Sequence, residues 1–97
     1  MNKEFKREWV KALTSGEYKQ GKEALRYRQW HCCLGVARHA IPKIDDLNDS
    51  DTRNNGWLEG NELRALGITN QVQRELAQLN DEGVPFDMIA GLIDEAL

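Results

Sequence analysis

Histidine, cysteine and proline are scarce here, two of each in 97 residues, and no apolar run approaches the length of a membrane span. Each scarcity removes a class of protein. A spanning helix needs roughly 20 apolar residues, and the start Met1-Asn2-Lys3-Glu4 is charged where a secretory leader would carry its apolar core. The expected setting is the cytoplasm of a cell, where thiols stay reduced. Structural zinc needs four ligands at short paired spacings. Every Cys and His of this chain lies within residues 31–39. Cys32 and His39 on one helix would stand about 10 Å apart along its axis. Neither a metal nor a cofactor is expected.

What the chain has instead is charge, and the charge is divided. Residues 1–43 hold ten Lys or Arg against four Asp or Glu, a sum of +6; residues 44–97 hold three against twelve, a sum of −9; together they give the net −3. Either the halves face each other or the basic face is kept for an anionic partner. In one domain of this size the halves must touch, so internal pairing is the simpler expectation. Such a chain buries only somewhat over half of its unfolded surface and has little stability to spare.

Apolar spacing predicts the elements. Phe5, Trp9, Val10 and Leu13 share one face of a helix over about Lys3 to Leu13, with Lys3, Lys6, Arg7 and Lys11 turned away and Thr14-Ser15-Gly16 as its stop. Gly16 and Gly21 bracket a turn around Tyr18, and Ala24-Leu25-Arg26-Tyr27-Arg28 alternates as a short strand. A second helix covers about His31 to Ala40, ended by Pro42. Residues 43–61 are polar and read as a loop, in which Gly56-Trp57-Leu58 supplies a strand, and 62–66 makes a brief helical turn before Gly67. Thr69 caps a helix carrying Val72, Leu76 and Leu79 on one face, ended by Asn80-Asp81-Glu82-Gly83. Pro85 opens the last helix, with Phe86, Ile89, Ala90, Ile93 and Leu97 in one stripe. The expected fold is a mainly α single domain over 1–97, of about four helices. A small α+β variant adds one short two-stranded pairing between 24–28 and 56–58.

The run Trp30-His31-Cys32-Cys33-Leu34-Gly35-Val36 is the place to look for chemistry. On a helix, Cys33 joins Trp30, Val36, Ala37 and Ala40 on one face, where a thiol is most often a small core residue. Cys32 points roughly along the line of Val36 and His39 and keeps whatever reactive role exists, as a thiol nucleophile or redox sensor near a helix N-terminus. Adjacent helical residues diverge, so His31 is badly placed as a base for either thiol. A vicinal disulfide is strained and disfavoured in a reducing compartment.

Two other motifs invite a function. Asp51 to Glu62 matches a calcium-binding EF-hand loop at its first, fifth, sixth, eighth and twelfth positions, with Asp51, Asn55 and Glu62 as oxygen ligands and Gly56 at the turn. Arg53 stands at the third position, where an oxygen belongs, and Pro42 leaves no full entering helix. Chance in an Asp/Asn-rich loop is the expected reading. Lys19, Lys22, Arg26 and Arg28 alternate with Tyr18, Tyr27 and Trp30, a mixture of cations and stacking rings that suits an anionic nucleotide or a nucleic-acid strand. Tyr18, Lys19, Lys22, Arg26, Tyr27 and Arg28 are therefore candidate ligand or partner residues. The last helix is apolar over most of its circumference, and Met88, Leu92 and Leu97 form a candidate association surface for a partner or a homodimer.

Ser15-Gly16 with Tyr18 and Gln20, then Cys32-Cys33-Leu34-Gly35-Val36, then Leu79-Asn80-Asp81 with Phe86 and Ile89-Ala90, form a pattern over about half the chain. In it the chain resembles a group of small proteins encoded by tailed phages and their prophages. Pro85 departs from that pattern by standing where a capping Ser is expected, and the loop 43–61 varies. The resemblance implies a phage origin and a bacterial cytoplasm, with no activity or catalytic residue to transfer. The expected function is non-catalytic: a phage accessory protein that binds a host or phage protein as a modulator or inhibitor, including of host defence. The alternatives are a binder of a nucleotide or nucleic acid through the basic first half and, further off, a thiol-dependent enzyme or redox sensor at Cys32.

Overall fold

The computed structural model describes residues 1–21, 26–27, 30–41 and 57–97, with only the backbone of 26 and 27. Helix α1 (Lys3–Thr14) starts where the Asn2 side chain accepts the Phe5 amide at 3.0 Å, buries Trp9 and Leu13, and stops at Ser15 before Gly16, whose φ of 81° only glycine adopts freely. Three strands of two residues follow: β1 (Lys19–Gln20), β2 (Arg26–Tyr27) and β3 (Trp30–His31). The central strand is β3. It runs parallel to β1, with Lys19 opposite Trp30, and antiparallel to β2, with Tyr27 opposite Trp30.

Helix α2 (Cys33–Ala40) begins directly after β3 and is the buried centre of the fold; all residues from Cys33 to Arg38 are buried. Helix α3 (Gly60–Leu66) ends at Gly67 in the left-handed region, where a Cβ would lie 3.0 Å from the Met1 Cα. The chain start is held there, the Asn2 amide donating to the Leu66 carbonyl at 3.1 Å. Helix α4 (Asn70–Asp81) is capped by Thr69, whose hydroxyl accepts the Val72 amide at 3.1 Å, and it turns at Gly83 into α5 (Phe86–Ala96). Helix α1 packs chiefly on α5 and α2, while α4 lies against α2 and α5. Trp9, Leu34, Val36, Ile41, Leu66, Ile89 and Ile93 fill the interior between them.

The described architecture is thus mainly helical with a small sheet, as the periodicity predicts, but the strands pair differently. The partner of 26–27 is 30–31, not 56–58. Residues 57 and 58 are irregular, and 24, 25, 28 and 56 lie outside the described residues. Trp30 and His31 are strand rather than the start of α2, because Cys32 is extended and caps the helix. The polar loop ends earlier than 61, since α3 already begins at Gly60; residues 43–56 are not described.

Candidate functional site

Strand alternation separates the residues of the small sheet. Gln20 and His31 turn inward, while Lys19 and Trp30 turn to solvent. Lys19 Nζ stands 5.5 Å from the Trp30 ring centroid, and the indole remains 43% exposed. Tyr27 occupies the register position on the other side of Trp30, so the backbone sets Lys19, Trp30 and Tyr27 in one row across three strands. Arg26 lies in the neighbouring row, opposite His31. Lys22 and Arg28 are outside the described residues. Gly21 is required beside this row. Its amide donates to the His31 carbonyl at 2.7 Å, and a Cβ there would come within 2.8 Å of the Trp30 Cβ.

Tyr18 does not join the cationic row. Its hydroxyl lies 2.8 Å from His39 Nδ1, and its ring packs edge-on against both histidines of the chain, with centroids 5.1 Å from His31 and 5.5 Å from His39. The two imidazoles are themselves 5.7 Å apart. Partial burial, with the neighbouring Glu17 charge, raises the Tyr18 hydroxyl above its ordinary value. This cluster joins the end of α2 to the strands. Spacing did not reveal it, because 18, 31 and 39 meet only through the parallel pairing of β1 and β3.

Both thiols are inside. Cys33 is wholly buried, with its Sγ 3.6 Å from the Leu76 carbonyl, in agreement with a core role. Cys32 is only 4% exposed; its sulfur accepts the Gly35 amide at 3.4 Å as the cap of α2. Burial raises both thiols above their usual range, and for Cys32 the cap hydrogen bonds oppose this only in part. A raised, enclosed thiol is a poor nucleophile. Cys32 is thus enclosed like its neighbour: the extended cap conformation sends its side chain back onto the helix it starts. Among the described residues, no three of His, Cys, Asp and Glu are grouped to hold a metal.

Glu62, the residue that would close the calcium loop, has no exposed side-chain surface. Its Oε2 accepts Arg38 Nε at 2.8 Å, Oε1 accepts the other arm of the same guanidinium, and Oε1 also accepts the Glu59 amide at 2.9 Å. Its oxygens are committed to a buried fork that ties α3 to α2. Asp51 and Asn55 lie outside the described residues.

Asn80 is the buried residue that the sequence reading passed over as part of a helix end. Its Oδ1 accepts the Cys33 amide and Gln20 Nε2, both at 3.1 Å, and its Nδ2 donates to the Gly21 carbonyl at 2.7 Å. One side chain thus joins α4, the start of α2 and the end of β1. Its position on the buried stripe of Gln73 and Leu76 was the available signal. Gln73 does a similar service for the chain entering α3, accepting the Leu58 amide at 2.7 Å.

On α5 the inner face is Phe86, Ile89, Ala90 and Ile93, and the outer face carries Met88 at 62% and Leu92 at 44% exposure, one turn apart. The space around Gly91, beside them, is open. Leu97 leaves the expected surface, because it is partly buried against the core. On another side of the same helix, Asp94 meets Lys3, Lys6 and Arg7 of α1 around a shallow cleft of about 260 Å³. Basic and acidic halves do meet here, three cations to one carboxylate. No described helix is long and apolar enough to cross a membrane.

A family model described as a domain of unknown function, DUF8296, matches residues 1–56. Neither the curated proteins nor the solved structures hold a match to the chain.

Proposed function

The chain belongs to the DUF8296 family, and we propose that it is a non-catalytic phage accessory protein that acts in the bacterial cytoplasm by binding a host or phage protein. The observation that carries this reading is the Met88–Leu92 ridge. Two large apolar side chains one turn apart stand in solvent on a helix whose other face already supplies the core. Exposed methionine suits a surface that must adapt to another protein.

The charge of the hairpin that carries the ridge favours one kind of partner. Residues 70–97, which form the α4–α5 hairpin, hold Arg74 against Glu75, Asp81, Glu82, Asp87 and Glu95, a sum of −4 with Asp94 left out because it faces α1. A second copy would bring an equal negative field to a symmetric contact, which works against a homodimer through this face. A basic amphipathic segment of a different protein meets both needs, apolar anchors for the ridge and cations for its flanks.

Tagged wild type and the Met88→Ser/Leu92→Ser double variant, expressed in the bacterial host and compared by quantitative capture, test this reading. The same basic protein is expected in each wild-type preparation, reduced at least about tenfold with the variant, because two anchors of a binding patch together contribute that much or more. The variant's thermal midpoint should hold, since both side chains are exposed. A partner retained in full by the variant refutes the proposal.

A further inference from the structure

We propose that the outer face of the small sheet is a second, independent site, a stacking platform for single-stranded nucleic acid centred on Trp30. Two observations carry the proposal. Trp30 keeps 43% of its surface exposed at the middle strand of the sheet, whereas Trp9 is wholly buried. Lys19, its neighbour in register, holds its ammonium over that ring at 5.5 Å. The third position of the row is again aromatic in identity, Tyr27. The inward row is occupied differently, with His31 packed on Tyr18 and Gln20 bonded to Asn80 and to the Val84 carbonyl, duties that Lys19 and Trp30 do not share.

The chemistry of the row selects the ligand. A base stacks on an indole through its π-face whatever its sequence, and the phosphate that follows needs a cation within a side chain's reach. Lys19 can exchange its position over the ring for that phosphate, because an exposed cation–π contact is weaker than a base stack. The sequence around the row is net basic, since residues 17–30 hold Lys19, Lys22, Arg26 and Arg28 against Glu17 and Glu23, a sum of +2. A duplex hides its base faces and gains nothing from Trp30, so a single strand is favoured over double-stranded DNA. A protein ligand would gain from the ring but would not specifically need the cation beside it.

Fluorescence anisotropy of a labelled oligothymidylate of about ten nucleotides, a length within the usual range of such sites, tests the proposal. The wild type is expected to bind it at about 50 mM salt and to bind a duplex of equal length more weakly. Trp30→Ala should weaken binding about tenfold and Trp30→Tyr should restore most of it. Lys19→Ala should lower the slope of log affinity against log salt by about 0.7, the loss of one phosphate contact. Trp30→Tyr keeps a large ring in place, so its result is readable even if the alanine variant is poorly folded. No binding by the wild type overturns the proposal, as does a duplex bound as tightly as the single strand. Binding that Trp30→Ala leaves unchanged, and that inorganic polyphosphate abolishes, is attraction of a charged chain to a basic surface and also overturns it.

Discussion

Glu62 keeps a carboxylate in the protein interior, and the Arg38 fork is what makes that tolerable. Removing a charge from water costs several kcal/mol, and only a well-aligned partner offsets it. Loss of one member is therefore much worse than loss of both. Glu62→Ala removes the carboxylate that takes two hydrogen bonds from the Arg38 guanidinium and should lower unfolding free energy by about 3–5 kcal/mol, a large part of the whole for a domain of this size. An Arg38→Met/Glu62→Leu double variant should recover most of that loss in chemical denaturation. If the double variant is no more stable than Glu62→Ala, the pair is needed for more than charge compensation. The thiols make a second case at this scale. Both are protonated and enclosed in the folded chain, with values raised above the ordinary 9.0, while the unfolded chain ionises near that value. The unfolded state then binds fewer protons, so their stabilising contribution is complete below about pH 8.5 and is lost as pH rises above it. Denaturation midpoints should fall between about pH 8.5 and 10, and less steeply in Cys33→Ala. Both thiols should resist a thiol reagent until the protein unfolds. Rapid labelling of native Cys32 would contradict its role as a cap.

At the scale of elements, Asn80 shows how a single polar residue replaces what two-residue strands cannot supply. The strands make few ladder bonds, and the end of β1 is fixed instead by Gly21 bonding to the Asn80 amide and to the His31 carbonyl. Asn80→Ala would leave the Cys33 amide and the Gly21 carbonyl without that partner in the interior, at a cost of about 2–4 kcal/mol. Hydrogen exchange should quicken at Gly21 and Cys33 first. If exchange quickens only in α1, the joint is elsewhere. The helices α1, α4 and α5 were legible in the sequence because each has an apolar stripe, with Thr69 and Pro85 marking the starts of the last two. The sheet was not. A strand of two residues shows no alternation to read, and the pairing of β1 with β3 is parallel and non-local. Trp30 and His31 looked helical because their apolar neighbours continue smoothly into α2. Among the candidate site residues, Lys19 and Tyr27 came to the row around Trp30, but Tyr18 went to the histidines, a choice made by strand parity rather than by composition.

At the scale of the molecule, the division of charge has a structural counterpart. Basic α1 lies on acidic α5, and Asp94 sits among Lys3, Lys6 and Arg7. One carboxylate does not neutralise three cations, and the hairpin that exposes Met88 and Leu92 keeps an acidic excess of its own. The molecule thus presents an acidic, apolar surface on the hairpin and a cationic, aromatic one on the sheet. Both suit recognition. Cys33 packs in the core as the sequence predicts, and Cys32, the one thiol the sequence left any reactive role, caps α2.

The proposed protein contact is tested most directly by photocrosslinking in bacterial cells that express the protein, with a photoreactive residue placed at position 88 and, as a control, at the exposed Glu4 of α1. The account predicts an adduct from position 88 to one basic partner protein, absent from position 4 and lost when Leu92→Ser is added. Adducts from position 88 to a second copy of this chain alone, or the same adducts from both positions, would contradict it.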